Sequence, residues 1–398
     1  MTSPEVKSRL EKLLAYLAAD PSNPHLIAEL IPLALRAGQP EVAQAAVSAA
    51  LKKSPQDAAV RFHAGTLALA TAQPELALHI FSQLLADGEV HPAIQYNAAY
   101  AAFRNSEPAR ALELTEAIPA ELESQVPELR KLQAQCLHFL ERESEAVAKL
   151  LDYTAAVPDD AEGWGLLAMI AADDSQEDVV TVASARALAL NPESTLAHLG
   201  LGTIALDARE ADTALRHFSF VVEKHPVNGR AWSGLAFAQT LRLELAESER
   251  SFIKAVEFMP NHIGTWHGLA WLQILRKDLI GASHSLQKAM DIDHNFAETH
   301  GSVAVVAALE GRDADARFSM RRALGLNKDC ASGLYAQTLL QAKKGEKHAS
   351  MDELLAQISA SMGMTEGNDL KSAVAKFVAD LNSGKKSPTA KSPTRTLH

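Results

Sequence analysis

The sequence predicts an all-α fold, a solenoid of stacked helical hairpins, from three observations. The first is a period: Pro158, Pro192, Pro226 and Pro260 stand 34 residues apart, and Trp164, Trp232 and Trp266 each follow a proline of that series by six. The second is a set of small-residue columns with the same period, Ala168, Gly202, Ala236, Ala270 and Ala304 in one, and Ala214, Ser248, Ala282 and Ala316 in another. The third is composition. Aromatic residues make up 5% of a chain that is 47% hydrophobic, so the apolar content is mostly Ala, Leu, Val and Ile, which pack thin helical layers better than a large globular core. A length of 398 residues would ordinarily suggest two or three domains, but a repeat that runs through nearly the whole chain removes the need for a second core. Ample apolar surface excludes general disorder, and 20 Gly and 2 Cys exclude collagen-like and disulfide scaffolds.

Each element follows from local pattern. Residues 8–19 read as a lone amphipathic helix that caps the N-terminal end. Within a repeat, Thr195–Leu206 and Ala211–Lys224 place apolar residues at three and four spacing, separated by the polar bend Asp207–Glu210. Each unit is therefore a helical hairpin. Asn191-Pro192 and His225-Pro226 end the second helix of a unit, because proline lacks the N–H and disfavours helical geometry in the residue before it. Small residues in the columns let the paired helices approach.

Units such as GRAWSGLAFAQTLRLELAESERSFIKAVEFMPNH, residues 229–262, resemble the tetratricopeptide repeat family, which has a Trp-like residue at position 4, Leu and a small residue at 7 and 8, Ala at 20, Phe at 24, Ala at 27 and Pro at 32. In that register units start at Pro24, Ala58, Pro92, Pro127, Ala161, Thr195, Gly229, Ile263, Ala297 and Ala331. Position 8 is Ala or Gly in eight of the ten, and position 20 is Ala or Ser in nine. The resemblance implies about ten hairpins forming a right-handed superhelix over residues 24–364, flanked by an N-terminal capping segment, residues 1–23, and a C-terminal helix, residues 365–382. That last helix would start at Asn368 and carry Leu370, Val374, Phe377, Val378 and Leu381 on one side. Residues 383–398, with two copies of Lys-Ser-Pro-Thr, read as a disordered basic tail. Departures from the family pattern are Pro32 inside a first helix, where a kink is expected, Pro119 shortening a second helix, and His198, His300 and Leu334 at position 4.

Charge and chemistry narrow the function. The tail carries four of the 38 basic residues and no acid, so residues 1–382 hold 34 basic against 49 acidic side chains, a charge that repels a nucleic-acid backbone. Cys136 and Cys330, far apart in sequence, read as reduced inert thiols in a cytoplasmic protein. Neither a signal segment nor a membrane span is expected. There is no phosphate loop, nucleophile elbow, HExxH or CxxC, and the repeats leave no room for an enzyme domain, so the chain is expected to be non-catalytic. The histidine pairs His262/His267 and His294/His300 have spacings that do not share a helical face; no metal and no cofactor are expected.

The family resemblance implies a protein-binding scaffold or adaptor, with a partner peptide or helix held in a concave groove lined by positions 2, 5, 9 and 12 of each first helix. At those positions stand Phe62, then Tyr96, Tyr100 and Phe103, then Phe237, His267 and Trp271, and Tyr335. Rings there offer contact area at low entropic cost; alternatively they pack between neighbouring helices. Lys131 and Arg230 lack the Asn that would complete the family's clamp for a terminal carboxylate, and Asn97 is alone at position 6. An alternative role is an accessory subunit of an enzyme, secretion or polysaccharide-assembly complex, with the basic tail on a membrane surface or polyanion.

Overall fold

In a computed structural model of the protein, residues 4–119 and 126–342 are described. The second helix of the tenth repeat, the helix expected over 365–382 and the basic tail lie outside them. The described residues form 20 helices and no strand. They divide into two compact units, Met1–Ala197 and His198–His398.

The first unit opens with α1 (Pro4–Ala19). The hairpins α2 (Pro24–Arg36) with α3 (Pro40–Lys53), α4 (Ala58–Ala70) with α5 (Pro74–Ala86), and α6 (Pro92–Arg104) with α7 (Pro108–Glu116) follow. Next come α8 (Glu128–Phe139) with α9 (Glu143–Ala156), and α10 (Ala161–Asp173) with α11 (Glu177–Leu190). The division falls within α12 (Thr195–Asp207), the partner of α13 (Ala211–Lys224). The second unit continues with α14 (Gly229–Leu241) and α15 (Leu245–Phe258), α16 (Ile263–Leu275) and α17 (Leu279–Ile292), α18 (Ala297–Leu309) and α19 (Asp313–Leu326), and ends in α20 (Ala331–Ala342). Pro32 lies inside α2, and α7 has nine residues where the other second helices have 13 or 14.

One turn closes every described hairpin. After the first helix a residue takes a left-handed conformation, and the next N–H reaches back five residues, as in Gln39 N to Ala34 O (2.9 Å), Glu244 N to Gln239 O (2.9 Å) and Arg312 N to Ala307 O (2.9 Å). This six-to-one bond satisfies a carbonyl that the helix end would leave unpaired. Gly38 and Gly311 fill the left-handed site in two hairpins, but Ala72, Ser106, Glu141, Ser175, Arg209, Leu243 and Lys277 fill it in the other seven, with φ between 55° and 64°. In the first three hairpins, Pro40, Pro74 and Pro108 then start the second helix, where a missing N–H costs nothing.

A second repeated bond joins the proline and tryptophan columns. The indole N–H groups of Trp164, Trp232 and Trp266 donate to the carbonyls of Pro158, Pro226 and Pro260 at 2.8, 2.7 and 2.8 Å. His300, in the tryptophan position, makes the same connection through Nε2 to His294 O at 2.8 Å. Each bond pins the start of one hairpin to the end of the hairpin before it.

The core lies between these pins. Ala99, Ala134, Ala168, Ala236, Ala270 and Ala304 at position 8 are fully buried, as are Ala43, Ala77, Ala111, Ala146, Ala214, Ser248, Ala282 and Ala316 at position 20. Ser248 fits this dry column because its hydroxyl donates to Ala236 O at 2.8 Å. Where position 24 holds Phe, the ring fills space left by glycine. The Phe218 ring sits 2.8 Å from where a Cβ on Gly202 would stand, and 2.4 Å from one on Gly234 of the following helix.

Replacing Leu243, half-exposed at φ 61°, by Gly is expected to stabilise the second unit by about 0.5–1 kcal/mol, because removing the Cβ relieves the left-handed penalty and loses little packing. Urea unfolding of Leu243→Gly checks this through its midpoint. Gly234→Ala is expected to destabilise by about 1–3 kcal/mol, since the Phe218 ring is enclosed and must shift; an unchanged midpoint would contradict the packing described.

Candidate functional site

The aromatic residues of the first helices are placed differently from one another. On α6, Tyr96 and Tyr100 are one helical turn apart, their rings parallel within 2° and 6.3 Å between centroids. Arg104 continues the row by another turn: its guanidinium lies 5.9 Å from the Tyr100 centroid, and Nη1 donates to the Tyr100 hydroxyl at 3.2 Å. Phe103 meets Phe139 of α8 at 5.4 Å, near edge-to-face. Tyr96, Tyr100 and Phe103 are all half-buried, so each ring keeps an open part. Burial, aided by Glu128 and Tyr100, pushes the Tyr96 phenol up from its usual value. On α4, Phe62 packs at 5.8 Å against the enclosed Phe81.

In the second unit, Phe237 is 39% exposed and stands edge-to-face on the enclosed Phe252 at 5.0 Å. Trp271 is half-buried and reaches Tyr335 at 6.1 Å. Tyr335 is 3% exposed, within a core that includes Ala304, Val305 and Ala336, and burial pushes its phenol up to about 12. His267 is engaged on two sides, by Thr299 Oγ1 at 2.8 Å from Nε2 and by the Phe296 ring at 5.5 Å. The geometry therefore leaves Phe62, Tyr96, Tyr100, Phe103, Phe237 and Trp271 partly open, while His267 and Tyr335 are turned into their neighbours.

Lys131 is tied down. Its Nζ lies 3.1 Å from both Asp160 and Glu162 and 5.4 Å from the Tyr153 ring centroid, and Tyr153 donates to the same Asp160 carboxylate at 2.6 Å. Asp160 also caps α10 through Glu162 N at 3.0 Å. One carboxylate thus joins α8, α9 and α10, and the ammonium is occupied by that joint. Glu298 does a similar task between α18 and α20: it accepts from Ala331 N (2.8 Å) and Ser332 N (3.1 Å), bonds that hold its carboxyl below the usual range although burial opposes this. Both cysteine thiols are enclosed, and burial pushes each up to about 12.

Sequence reasoning passed over Phe139, which follows the last groove position of α8 by one residue and is 67% exposed. It also passed over the pair His198 and His217, whose Nδ1 atoms lie 2.9 Å apart between α12 and α13. The signal for Phe139 was present: it stands 36 residues after Phe103, one repeat of 35 plus one.

A sequence profile described as tetratricopeptide repeat matches residues 29–77, 64–125 and 199–257. Residues 29–125 and 199–257 carry tetratricopeptide repeats. The all-α solenoid of repeats supports a role as a protein-interaction scaffold. Among curated proteins none matches the chain by sequence. Among solved structures it is similar to a dimer of human IFIT1 with m7Gppp-AAAA, at a TM-score of 0.57 and 14% identity over 96% of this chain and 94% of that one. At that identity the likeness is one of fold. A tetratricopeptide repeat protein from Parabacteroides merdae (TM-score 0.46, 16% identity, 62% of this chain and 97% of that) and PilF of Pseudomonas aeruginosa (0.46, 12%, 54% and 98%) are also similar. Among the described residues, no helix is long and apolar enough to cross a membrane.

The burial of two histidines predicts a pH-dependent stability. Burial, with His198 and Arg216 adding to it, pushes His217 down to about 4, and burial pushes His267 down to about 4. Between pH 6.5 and 4 the unfolded chain takes up protons on these rings that the folded chain does not, so stability is expected to fall as pH is lowered through that window. Urea midpoints at pH 7 and 5 measure the slope, and His217→Gln with His267→Gln is expected to flatten it.

Proposed function

We propose that the protein is a non-catalytic adaptor that holds an extended or helical segment of a partner protein against the first-helix faces of its repeats. The observation that carries this reading is the row on α6, where the parallel rings of Tyr96 and Tyr100 and the guanidinium of Arg104 follow one another at successive turns. Rings and a guanidinium fixed by one another lose little freedom on binding, and each offers both an apolar face and a polar edge. Phe62 and Phe103 extend the surface in the first unit, and Phe237 and Trp271 form its counterpart in the second. His267 and Tyr335 act as backing for these rings. A partner bound this way would lie along several repeats, so its affinity would be a sum of modest contacts. The excess of acidic side chains supports a protein partner over a nucleic acid.

Photo-crosslinking tests the placement. A benzophenone amino acid at position 100 or 237 is expected to trap a partner band in cells that the same group at position 280 does not, although Ile280 is 83% exposed on α17. Equal yields from all three positions would remove the assignment to the first-helix faces.

A further inference from the structure

An exposed aromatic pair in the first unit stands beside a concentration of carboxylates, and the two together define a partner chemistry. Phe139, 67% exposed at the end of α8, is the more open member of the Phe103–Phe139 pair. Its neighbour His138 faces Glu143 at 4.0 Å and Asp173 at 3.9 Å, beyond hydrogen-bond reach. These contacts place the turn after α8 and the turn after α10 side by side, and Ser144 Oγ, 2.9 Å from Asp174, ties the turns together. Residues 141–145 and 173–178 hold seven carboxylates against one guanidinium. That one, Arg142, is already bonded to Glu145 at 2.7 Å. Arg104, next to Phe103 in the chain, is seated on Tyr100. Phe139 thus adjoins two strongly negative turns through His138, whose ring centroid lies 6.2 Å from that of Phe139 and which faces Glu143 and Asp173.

We infer that the edge formed by Phe139 and the two turns docks a basic segment of the partner protein, with an aliphatic side chain or an arginine plane on the open face of Phe139 and further Arg or Lys side chains on the carboxylates of the two turns. The inference rests on the adaptor reading above and adds the partner's chemistry to it. Charge complementarity decides the occupant. An acidic or purely apolar segment would leave the carboxylates repelled or desolvated, whereas arginine satisfies a ring face and a carboxylate with the same group. Position after position, the turns of α8 and α10 offer sites at the spacing of adjacent repeats, which favours a segment with several basic residues over a single one.

The experiment uses the full chain and a fluorescein-labelled dodecapeptide of alternating Arg and Leu, read by fluorescence anisotropy. Phe139→Ala, and separately Glu177→Gln with Asp178→Asn, is expected to weaken binding about fivefold or more, with helicity unchanged by circular dichroism. Phe139→Leu is expected to retain most of it. A control that removes two charges elsewhere, Glu223→Gln with Asp291→Asn, is expected to change affinity less than about twofold, and the Glu-for-Arg peptide is expected not to bind. Unaltered affinity in Phe139→Ala, or equal weakening by the control pair, would overturn the inference by showing that only the overall charge attracts the peptide. A chain lacking residues 383–398 that binds the peptide about tenfold more tightly than the full chain would also overturn it, giving the edge to the protein's own basic tail. Either failure leaves the crosslinking result at positions 100 and 237 standing, so the edge and the adaptor role are tested apart.

Discussion

The left-handed residue that closes each hairpin is the constraint from which the rest follows. A helix that ends in this way reverses direction at once, and the returning helix packs back on the first. Position 20 of the second helix then meets position 8 of the first, as the Ser248 hydroxyl on Ala236 O does, and both columns are small and dry. Seven of the nine described turns adopt the conformation without glycine. The hydrogen bond and the packing it permits therefore outweigh a penalty of about 1–2 kcal/mol per turn. The hairpin is held by its interior, and the turn residue follows.

Between hairpins the same logic operates through the tryptophan and proline columns. Proline ends a second helix, but its carbonyl remains and needs a donor. The indole six residues later supplies it, so the two columns recur together because each is half of one bond. His300 makes the same bond with a smaller ring, so the bulk of the indole is not needed for it. Phe218, lodged between Gly202 and Gly234, does for the core what tryptophan does at the rim, since a single ring spans from its own hairpin to the next.

The class of fold was legible because its determinants are rare residues at a fixed interval. Proline, tryptophan and the small columns each report a covalent or steric requirement that few other residues meet. The turn conformation was hidden because bond geometry imposes it on Leu, Arg, Glu and Lys alike, and only Gly38 and Gly311 advertise it. The aromatic positions were found by register, but register does not say how far a ring is covered. Tyr335 and Tyr100 hold the first-helix positions 5 and 9, yet one is enclosed and the other half-open, because the neighbours that cover Tyr335 come from α16 and α18. Lys131 was legible as a cation on a first helix and illegible as the centre of a joint, since its partners lie 29 and 31 residues away.

A chain with few rings spends most of them on structure, and this bears on where recognition can reside. Phe81, Phe218 and Phe252 are enclosed, and the position 4 rings of Trp164, Trp232, Trp266 and His300 are committed to carbonyls. Three of the rings left partly open rest on an enclosed one: Phe62 on Phe81, Phe237 on Phe252, Trp271 on Tyr335. An open ring fixed in this way is a rigid contact whose orientation is set by the core beneath it. If these rings bind a partner as proposed, the binding surface and the repeat packing are one structure, and a change in the partner's shape can be matched by substituting the open ring while the enclosed one holds the hairpins in register. Charge at the turn edges is freer still, because residues 173–178 contribute carboxylates from positions that the turn's backbone bonds fix whatever side chains they carry. Selectivity between partners can therefore be written into the turns and the open rings without disturbing the period that builds the fold.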